Sequence, residues 1–404
     1  MTAPAAPPFQ PLAGTKVVEM SHMIMGPSCG MFLAFMGAEV VKVEPPDGDK
    51  TRHLTGMGSA FFPTFNRAKR SVTLDLNAAA GRAALDRLLE GADVFLENFR
   101  DSALQRMGFA PEQLRAKYPR LITASCKGFL HGPYQDRTAM DEVVQMMTGM
   151  AYMTGPTGRP LRIGSSANDI MGGLFGAFAV MGALMQRQAD GSGHDVRIGL
   201  FENCLLLVAQ HMVQFEIEGR EAPPMPEREF SWPVYDIFDT EDGRQIFVGA
   251  VTEGQWATLC DILGLAALKA DPALQHRMAQ IEARDRTIPL VAAAIRGRRF
   301  DDLIAAFEPA GIPFAPIHRP AEMYADPHVN RPGGLLTSAR PGGPAFRAPG
   351  LPLELDGRPV APASADLPGL GDDTRAVLAA LGMDAAEIAA ASGHPQSGEG
   401  SESA

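Results

Sequence analysis

Hydrophobic positions along the first half of the chain fall into short valine-rich runs separated by longer apolar stretches of helical length. The runs at residues 16–20 and 39–44 flank such a stretch at 26–38. Short β-branched runs joined by a helix predict a parallel βαβ unit. Further strand-like runs occur at 71–76, 93–99 and 120–128. The sequence therefore predicts an α/β fold with a Rossmann-like, doubly wound sheet that has helices on both faces.

The second half of the chain has a different pattern. Proline and charged residues concentrate at 218–233, which indicates a linker. A hairpin turning at Asp242-Gly243, followed by amphipathic helices, then predicts a smaller α+β domain. Residues 333–353 resemble a loop, and the last helix is expected to begin near Asp372. The predicted organisation is a large domain over 1–225, a small domain over 226–320, a return segment over 321–392 that completes the large domain, and a disordered tail over 393–404.

Composition and charge exclude several classes of protein. The net charge of −11 and the sequence pI of about 5.3 argue against a nucleic-acid surface. The four cysteines have no CxxC or Cys/His spacing, so neither a metal site nor a disulfide framework is expected, and a reducing cytoplasm suits them. The most apolar stretch, at 170–185, is shorter than the roughly 20 residues that cross a bilayer. It predicts a buried helix and no membrane partner.

Asp169 is the first candidate for chemistry. It directly precedes the apolar run in GSSANDIMGG, so its ordinary interpretation is a helix N-cap. A carboxylate held at a helix N-terminus is expected to stay ionised, and a carboxylate nucleophile needs this state. Gly172 and Gly173 follow it, and their lack of side chains would admit a large ligand.

The segment Glu97–Phe99 is the second candidate. It ends a predicted parallel strand, and open α/β sheets bind ligands at this edge. Alternatively, Asn98 caps the next helix. A nicotinamide dehydrogenase is disfavoured, because the nearest match to GxGxxG, at Gly56–Phe61, has two of the three glycines.

Several segments in one order resemble family III CoA transferases, the group that contains formyl-CoA:oxalate and crotonobetainyl-CoA transferases. The resemblance covers nearly the whole chain. Its segments are PLAGTKVVEMSHMIMGPSCGMFLAFMGAEVVKVEPPDGD (11–49), NRAKRSVTLDL (66–76), ENFRDSALQRMGF (97–109), YPRLITASCKGF (118–129), MTGPTGRPLRIGSSANDIMGG (153–173), GHDVRIGLFEN (193–203), GIPFAPIHRPAEMYADPHV (311–329) and PGLGDDTRAVLAALG (368–382).

The resemblance implies an enzyme that passes CoA between carboxylic acids. Asp169 would be the nucleophile, forming an aspartyl-acyl anhydride and then an aspartyl-CoA thioester, with Asp141 near the thioester. The backbone N–H groups near Gly172 and Gly173 would stabilise the oxyanions. The CoA would lie along His22, Met23, Ile24, Met25, Leu74, Asn98, Phe99, Arg106 and Met107.

Two features depart from the formyl-CoA members of this family. They have an arginine after the KVE strand that helps to hold CoA, whereas this chain has Pro45. Their glycine-rich loop over the oxalate site has no counterpart around 251–255, which disfavours oxalate as the acceptor. The residues that could replace the arginine are Arg67, Lys69 and Arg70.

The resemblance also implies an interlocked-ring homodimer with no permanently bound cofactor and with CoA thioesters as substrates. Succinyl-CoA and a small dicarboxylic acid are the expected donor and acceptor. The candidates for holding a second carboxylate are Arg52, Arg159 and Arg162.

Two alternatives remain. A 2-methylacyl-CoA racemase of the same fold needs a histidine base just ahead of Asp141, and this chain has Met140 there. A thioether cannot abstract a proton, which disfavours the racemase. The alternative from another class is a non-catalytic acyl-CoA-binding protein, whose ligand binding would be indifferent to Asp169.

Overall fold

A computed structural model describes residues 9–393 of the chain. The chain divides into two compact units. The large unit contains the residues up to Pro226 and those from Pro327 onward, and the small unit is Glu227–Asp326. The small unit was predicted to end at residue 320; in the structure the helical turn Pro320–Ala325 still belongs to it. Apart from Gly393, the tail predicted for 393–404 lies outside the described residues.

The large unit is built on a parallel sheet whose strand order is β3-β2-β1-β4-β5-β6. The order reverses between β1 and β4, and such a switch point opens a crevice at the carboxyl ends of the strands. The predicted α/β fold class is therefore confirmed. The strands are β1 Lys16–Met20, β2 Glu39–Glu44, β3 Arg70–Thr73, β4 Val94–Glu97, β5 Ile122–Lys127 and β6 Asp195–Gly199.

Helices connect these strands and cover the sheet. They are α1 Met25–Phe35, α2 Phe61–Phe65, α3 Ala79–Glu90, α4 Asp101–Met107, α5 Pro111–Lys117, α6 Asp141–Met147, α7 Met150–Thr154, α8 Ala167–Asp190 and α9 Leu200–Glu218.

Helix α8 is longer than the predicted apolar stretch, with 24 residues. By length and composition it is the one helix among the described residues that could cross a membrane. It packs along α1 and against β5 and β6 instead, and its buried face belongs to the core between them. We therefore interpret α8 as a core helix of the large unit.

The small unit is an antiparallel sheet in the order β7-β8-β9 with helices packed on it. The hairpin predicted at Asp242-Gly243 is present, and Gly243 takes the positive φ of +75° that its turn requires. Strand β9 was not predicted, because its flanking prolines suggested an exit from the domain. The elements are β7 Val234–Asp239, β8 Gln245–Ala250, α10 Glu253–Leu263, α11 Ala266–Ala270, α12 Arg277–Glu282, α13 Arg284–Arg296, α14 Phe300–Ala310 and β9 Phe314–Pro316.

The return segment corrects two predictions. Residues 333–353, expected to be a loop, contain the antiparallel pair β10 and β11, most of whose side chains are exposed. The C-terminal helix is two helices, and α16 packs on α3. Apolar side chains of α3, α15 and α16 cover one face of the sheet, and those of α1, α8 and α9 cover the other. The elements are β10 Leu335–Arg340, β11 Gly343–Pro349, β12 Glu354–Leu355, β13 Arg358–Pro359, α15 Thr374–Ala380 and α16 Ala385–Ser392.

A buried charge cluster lies beneath the start of α1. Glu19 and Lys42 are register partners on β1 and β2, with Lys42 Nζ 3.4 Å from Glu19 Oε1. Lys69 Nζ lies 2.7 Å from Glu19 Oε2 and donates to the carbonyl of Pro27 at 2.9 Å. Burial lowers the pKa of Lys69 to about 8, although Glu19 opposes this shift. The cluster fastens the segment between β1 and α1 to the sheet.

Candidate active site

Three strand ends meet at the switch point of the sheet. His22 follows β1, Asn98 and Phe99 follow β4, and Lys127 is the last residue of β5. The Asn98 side chain joins the first two, because Nδ2 donates to the His22 carbonyl at 2.7 Å and Oδ1 accepts from the His22 N–H at 3.0 Å. The alternative in which Asn98 caps α4 is wrong, since the N-cap is Arg100. The pair of bonds sets the spacing of the crevice.

Two adjoining cavities occupy this crevice. One has a volume of about 560 Å³ and a basic lining, and the other has a volume of about 510 Å³ and contains both candidate aspartates, Asp141 and Asp169. We call them the basic cavity and the aspartate cavity. The residues that line both are His22, Asn98, Cys126, Lys127, Gly128 and Ala139. The shared lining joins the two cavities into one continuous cleft.

Asp169 lies in the first turn of α8 and borders the aspartate cavity. Among residues 9–393 its carboxylate has no hydrogen-bond or ion-pair partner. Burial, together with the nearby Asp141, raises the pKa of Asp169 to about 7, and Arg162 partly opposes the shift. Two expectations are corrected: Ser166 is the N-cap, and the carboxylate is not fully ionised near neutral pH. The dipole of α8 favours the anion, but desolvation outweighs it.

Asp141 begins α6 and is 8% exposed. Its Oδ1 accepts from Gln145 Nε2 at 2.8 Å, and Gln145 Oε1 in turn accepts from the Ile163 N–H at 2.9 Å. Its Oδ2 is buried and has no hydrogen-bond partner among the described residues. An unpaired buried carboxylate oxygen is costly, so its placement in the cavity of Asp169 indicates a functional role.

The segment from β1 to α1 lines the aspartate cavity with the side chains predicted for it. The backbone of Met23 has a positive φ of 65°, which is rare for a residue other than glycine and typical of functional sites. Burial lowers the pKa of His22, whose ring packs edge-on against Phe99 with centroids 5.4 Å apart. The predicted residues in this segment are His22, Met23, Ile24 and Met25.

Three other predicted CoA contacts lie outside the two cavities. Leu74 is 1% exposed and belongs to the hydrophobic core that faces α3, and Met107 packs against the same core. Arg106 is exposed in the last turn of α4. The geometry does not bring these three side chains to the cleft, and their roles stay predictions.

The glycines after Asp169 have a packing role. A Cβ on Gly172 would lie 2.8 Å from Met25 Cε, and one on Gly173 would lie 2.0 Å from Ser28 Oγ. Both lie inside α8, where each N–H serves the carbonyl four residues earlier. These glycines therefore let α8 approach α1 closely and so position Asp169, and the oxyanion role stays a prediction.

Three cations were predicted to replace the CoA-binding arginine that this chain lacks at position 45. None of them lines either cavity. Arg67 and Lys69 are buried, and Arg70 pairs with Glu39 and Asp373. Sequence reasoning missed the cations that do line the basic cavity. The available signal was their position: one follows β4, one ends β5, one lies in the loop after β5 and one is on β6. These residues are Arg100, Lys127, Arg137 and Arg197.

The structure distinguishes the three arginines that were predicted to bind a second carboxylate. Arg162 lines the aspartate cavity. Arg52 is engaged by Glu44 through two hydrogen bonds of 2.7 and 2.6 Å. Arg159 is exposed and lines neither cavity. The described residues hold no cluster of three metal-ligating side chains.

Comparisons with known proteins show the family of the chain. Residues 12–374 match the family model "CoA-transferase family III". The chain is 31% identical to a succinate–glutarate CoA-transferase of Agrobacterium fabrum, covering 92% of this chain and 96% of the relative. It is 32% identical to a succinyl-CoA–D-citramalate CoA-transferase of Chloroflexus aurantiacus, covering 92% and 98%.

A solved structure of a CaiB/BaiF family protein from Brucella suis superposes with a TM-score of 0.82 and 31% identity, covering 92% of this chain and 99% of that one. The fold thus belongs to one class of enzyme. The chain is a member of CoA-transferase family III, and it is an enzyme of the CoA-transferase type.

Proposed function

We propose that this enzyme moves CoA from succinyl-CoA to a small dicarboxylic acid through covalent intermediates on Asp169. The observation that carries the proposal is the unpartnered Asp169 carboxylate, which borders a cavity continuous with a basic cleft. The named relatives act on succinate and glutarate or on succinyl-CoA and D-citramalate, which supports a dicarboxylic acid as the acceptor.

The reaction is an exchange in which covalent catalysis divides one difficult transfer into easier steps. A carboxylate oxygen of Asp169 attacks the donor carbonyl, the C–S bond breaks, and CoA leaves as the thiolate. The thiolate then attacks the aspartyl carbonyl of the anhydride and releases the donor acid as its carboxylate. The acceptor carboxylate expels CoA from the aspartyl-CoA thioester, and CoA finally attacks the acceptor acyl carbon and frees Asp169.

The basic cavity is proposed to hold the phosphates of CoA. Arg100 and Arg137 border it, and guanidinium groups suit phosphate oxygens. In this arrangement the thioester end of the substrate would pass His22 and Asn98 and reach Asp169 in the aspartate cavity. Asp141 would then face the reacting carboxylate.

Purified protein incubated with succinyl-CoA and glutarate in D₂O tests the function. We expect glutaryl-CoA to appear. In a second incubation in D₂O, with a chiral 2-methylacyl-CoA as the substrate, we expect the α-carbon to gain no deuterium. Rapid deuteration without transfer would instead identify the racemase, in spite of Met140. Binding of acyl-CoA with neither reaction would identify the non-catalytic alternative.

In a plot of kcat/KM against pH, the fall on the acid side (the acid limb) should report the pKa of Asp169. Activity is expected to fall as the pH drops through about 7, because only the ionised carboxylate attacks. Asp141→Asn removes the negative neighbour that raises this pKa, so the limb should move to lower pH. The control is Asp190→Asn, which removes an exposed charge at the other end of α8. A limb that stays in place in Asp141→Asn would contradict this assignment.

We also propose that the enzyme is a cytoplasmic homodimer. Large apolar side chains on α8 and α9 are exposed in the single chain, including Phe178 at 73% and Ile217 at 78%. Such patches are typical of subunit interfaces. Light scattering that finds a particle of 43.1 kDa, the mass of one chain, would contradict the dimer.

A further inference from the structure

We propose that Arg162 binds the second carboxylate of the acyl group that reacts at Asp169, and that it thereby selects dicarboxylic over monocarboxylic acids. The inference rests on the proposed function, and it assigns the choice of substrate class to one side chain. It depends on three features: the position of the guanidinium, its unused hydrogen-bond donors, and the ion pairs that already occupy Lys127, the other cation nearby.

Arg162 lies in the segment that leads into α8 and borders the same cavity as Asp169. Its Nε donates to the carbonyl of Ile163 at 3.1 Å, and its Nη2 donates to the carbonyl of Ser165 at 3.1 Å. These two bonds fix the plane of the guanidinium before a substrate arrives. A preorganised guanidinium loses less side-chain entropy when it binds an anion.

The Nη1 edge of Arg162 remains available. The nearest carboxylate oxygen is Glu142 Oε2 at 3.8 Å, which is too far for a hydrogen bond. The Glu142 side chain is 58% exposed, so water weakens this ion pair. Within residues 9–393, Nη1 donates no hydrogen bond. A substrate carboxylate that displaces Glu142 would gain a charge-assisted hydrogen bond at little cost.

Lys127 is the other lysine or arginine that borders this cavity, and it is already neutralised. Its Nζ lies 2.8 Å from Glu97 Oε1 and 2.8 Å from Asp101 Oδ1, and it donates to the carbonyl of Phe99 at 2.6 Å. A third anion at Lys127 would meet two carboxylates. The second carboxylate of the substrate therefore finds its partner in Arg162.

The test compares acids of matched length with a donor that lacks a second carboxylate. Butyryl-CoA is the donor, and succinate and glutarate are measured against butyrate and valerate as acceptors. In Arg162→Gln, assayed at about pH 9 so that Asp169 is ionised in both proteins, we expect the ratio of kcat/KM for dicarboxylic to monocarboxylic acids to fall about a hundredfold. The loss in Arg162→Lys should be intermediate, because lysine keeps the positive charge but lacks the paired N–H donors of the guanidinium.

Arg159→Gln is the matched control, since Arg159 is exposed in the same segment, and it should change neither class of acid. A dicarboxylate-to-monocarboxylate ratio in Arg162→Gln within about threefold of the wild type overturns the inference. If Arg162→Gln is inactive with every acid, the same ratio in Arg162→Lys decides. Where the wild type does not use butyryl-CoA, succinyl-CoA is the donor in the same comparison. Wild-type enzyme that transfers CoA from succinyl-CoA to no acid overturns the proposed function instead.

Discussion

Asp169→Asn is expected to lower the rate of CoA transfer more than a thousandfold, which corresponds to roughly 4 kcal/mol of activation free energy. An amide matches the shape of the carboxylate but is a very poor nucleophile. The wild-type carboxylate has no hydrogen bond within residues 9–393, so the substitution removes no structural contact. Formation of the product thioester, followed by chromatography, measures the loss.

The variant should also be more stable than the wild type at alkaline pH. The pKa of Asp169 in the folded protein, about 7, lies above its ordinary value of 3.8. The Asp169 carboxyl therefore stabilises the folded protein fully below about pH 4, and this stabilisation is lost as the pH rises through 7. The thermal midpoint of Asp169→Asn should exceed that of the wild type more at pH 8 than at pH 5. Retention of more than a tenth of the activity would contradict the covalent role.

Lys42→Met is expected to lower the free energy of unfolding by about 3–5 kcal/mol, because it leaves the buried Asp49 without its cation and Glu19 with Lys69 alone. Lys42 is fully buried, lies 3.0 Å from Asp49 Oδ2 and donates to the carbonyl of Ser21 at 2.7 Å. Burial alone would lower its pKa, but Glu19 and Asp49 outweigh burial and raise it. Equilibrium denaturation with urea measures the change.

Arg87→Met provides the control for Lys42→Met. Arg87 pairs with Glu387 at 3.1 Å, and both side chains are 43% exposed. An exposed pair of this kind contributes less than about 1 kcal/mol. Equal losses in the two variants would show that the buried cluster around Glu19 contributes no more than a surface ion pair.

The sheet was the part of the fold most accessible from sequence. Strands β1 and β2 begin and end at the predicted residues, because their valine runs are bounded by glycine or by a change to polar residues. The hairpin β10-β11 was missed because most of its side chains are exposed, which leaves little apolar alternation to detect. Local pattern is informative where one face of an element is buried and weak elsewhere.

The site was only partly accessible. Asp169 and Asn98 could be named from their places at a helix start and a strand end. The meeting of Asp169 with Asp141 could not be derived from spacing, because α6 and α8 reach one cavity only through the packing of the whole unit. The same holds for Gly172 and Gly173, whose contacts with α1 depend on a helix that is distant in sequence.

Trapping of the acyl enzyme tests the central claim most directly. Wild-type protein incubated with succinyl-CoA and then hydroxylamine should carry a hydroxamate on the peptide that contains Asp169, because hydroxylamine attacks both the anhydride and the aspartyl-CoA thioester. The modification should be absent without the donor and absent in Asp169→Asn. Modification at Asp141 instead, or rapid transfer with no modified residue, would contradict the account.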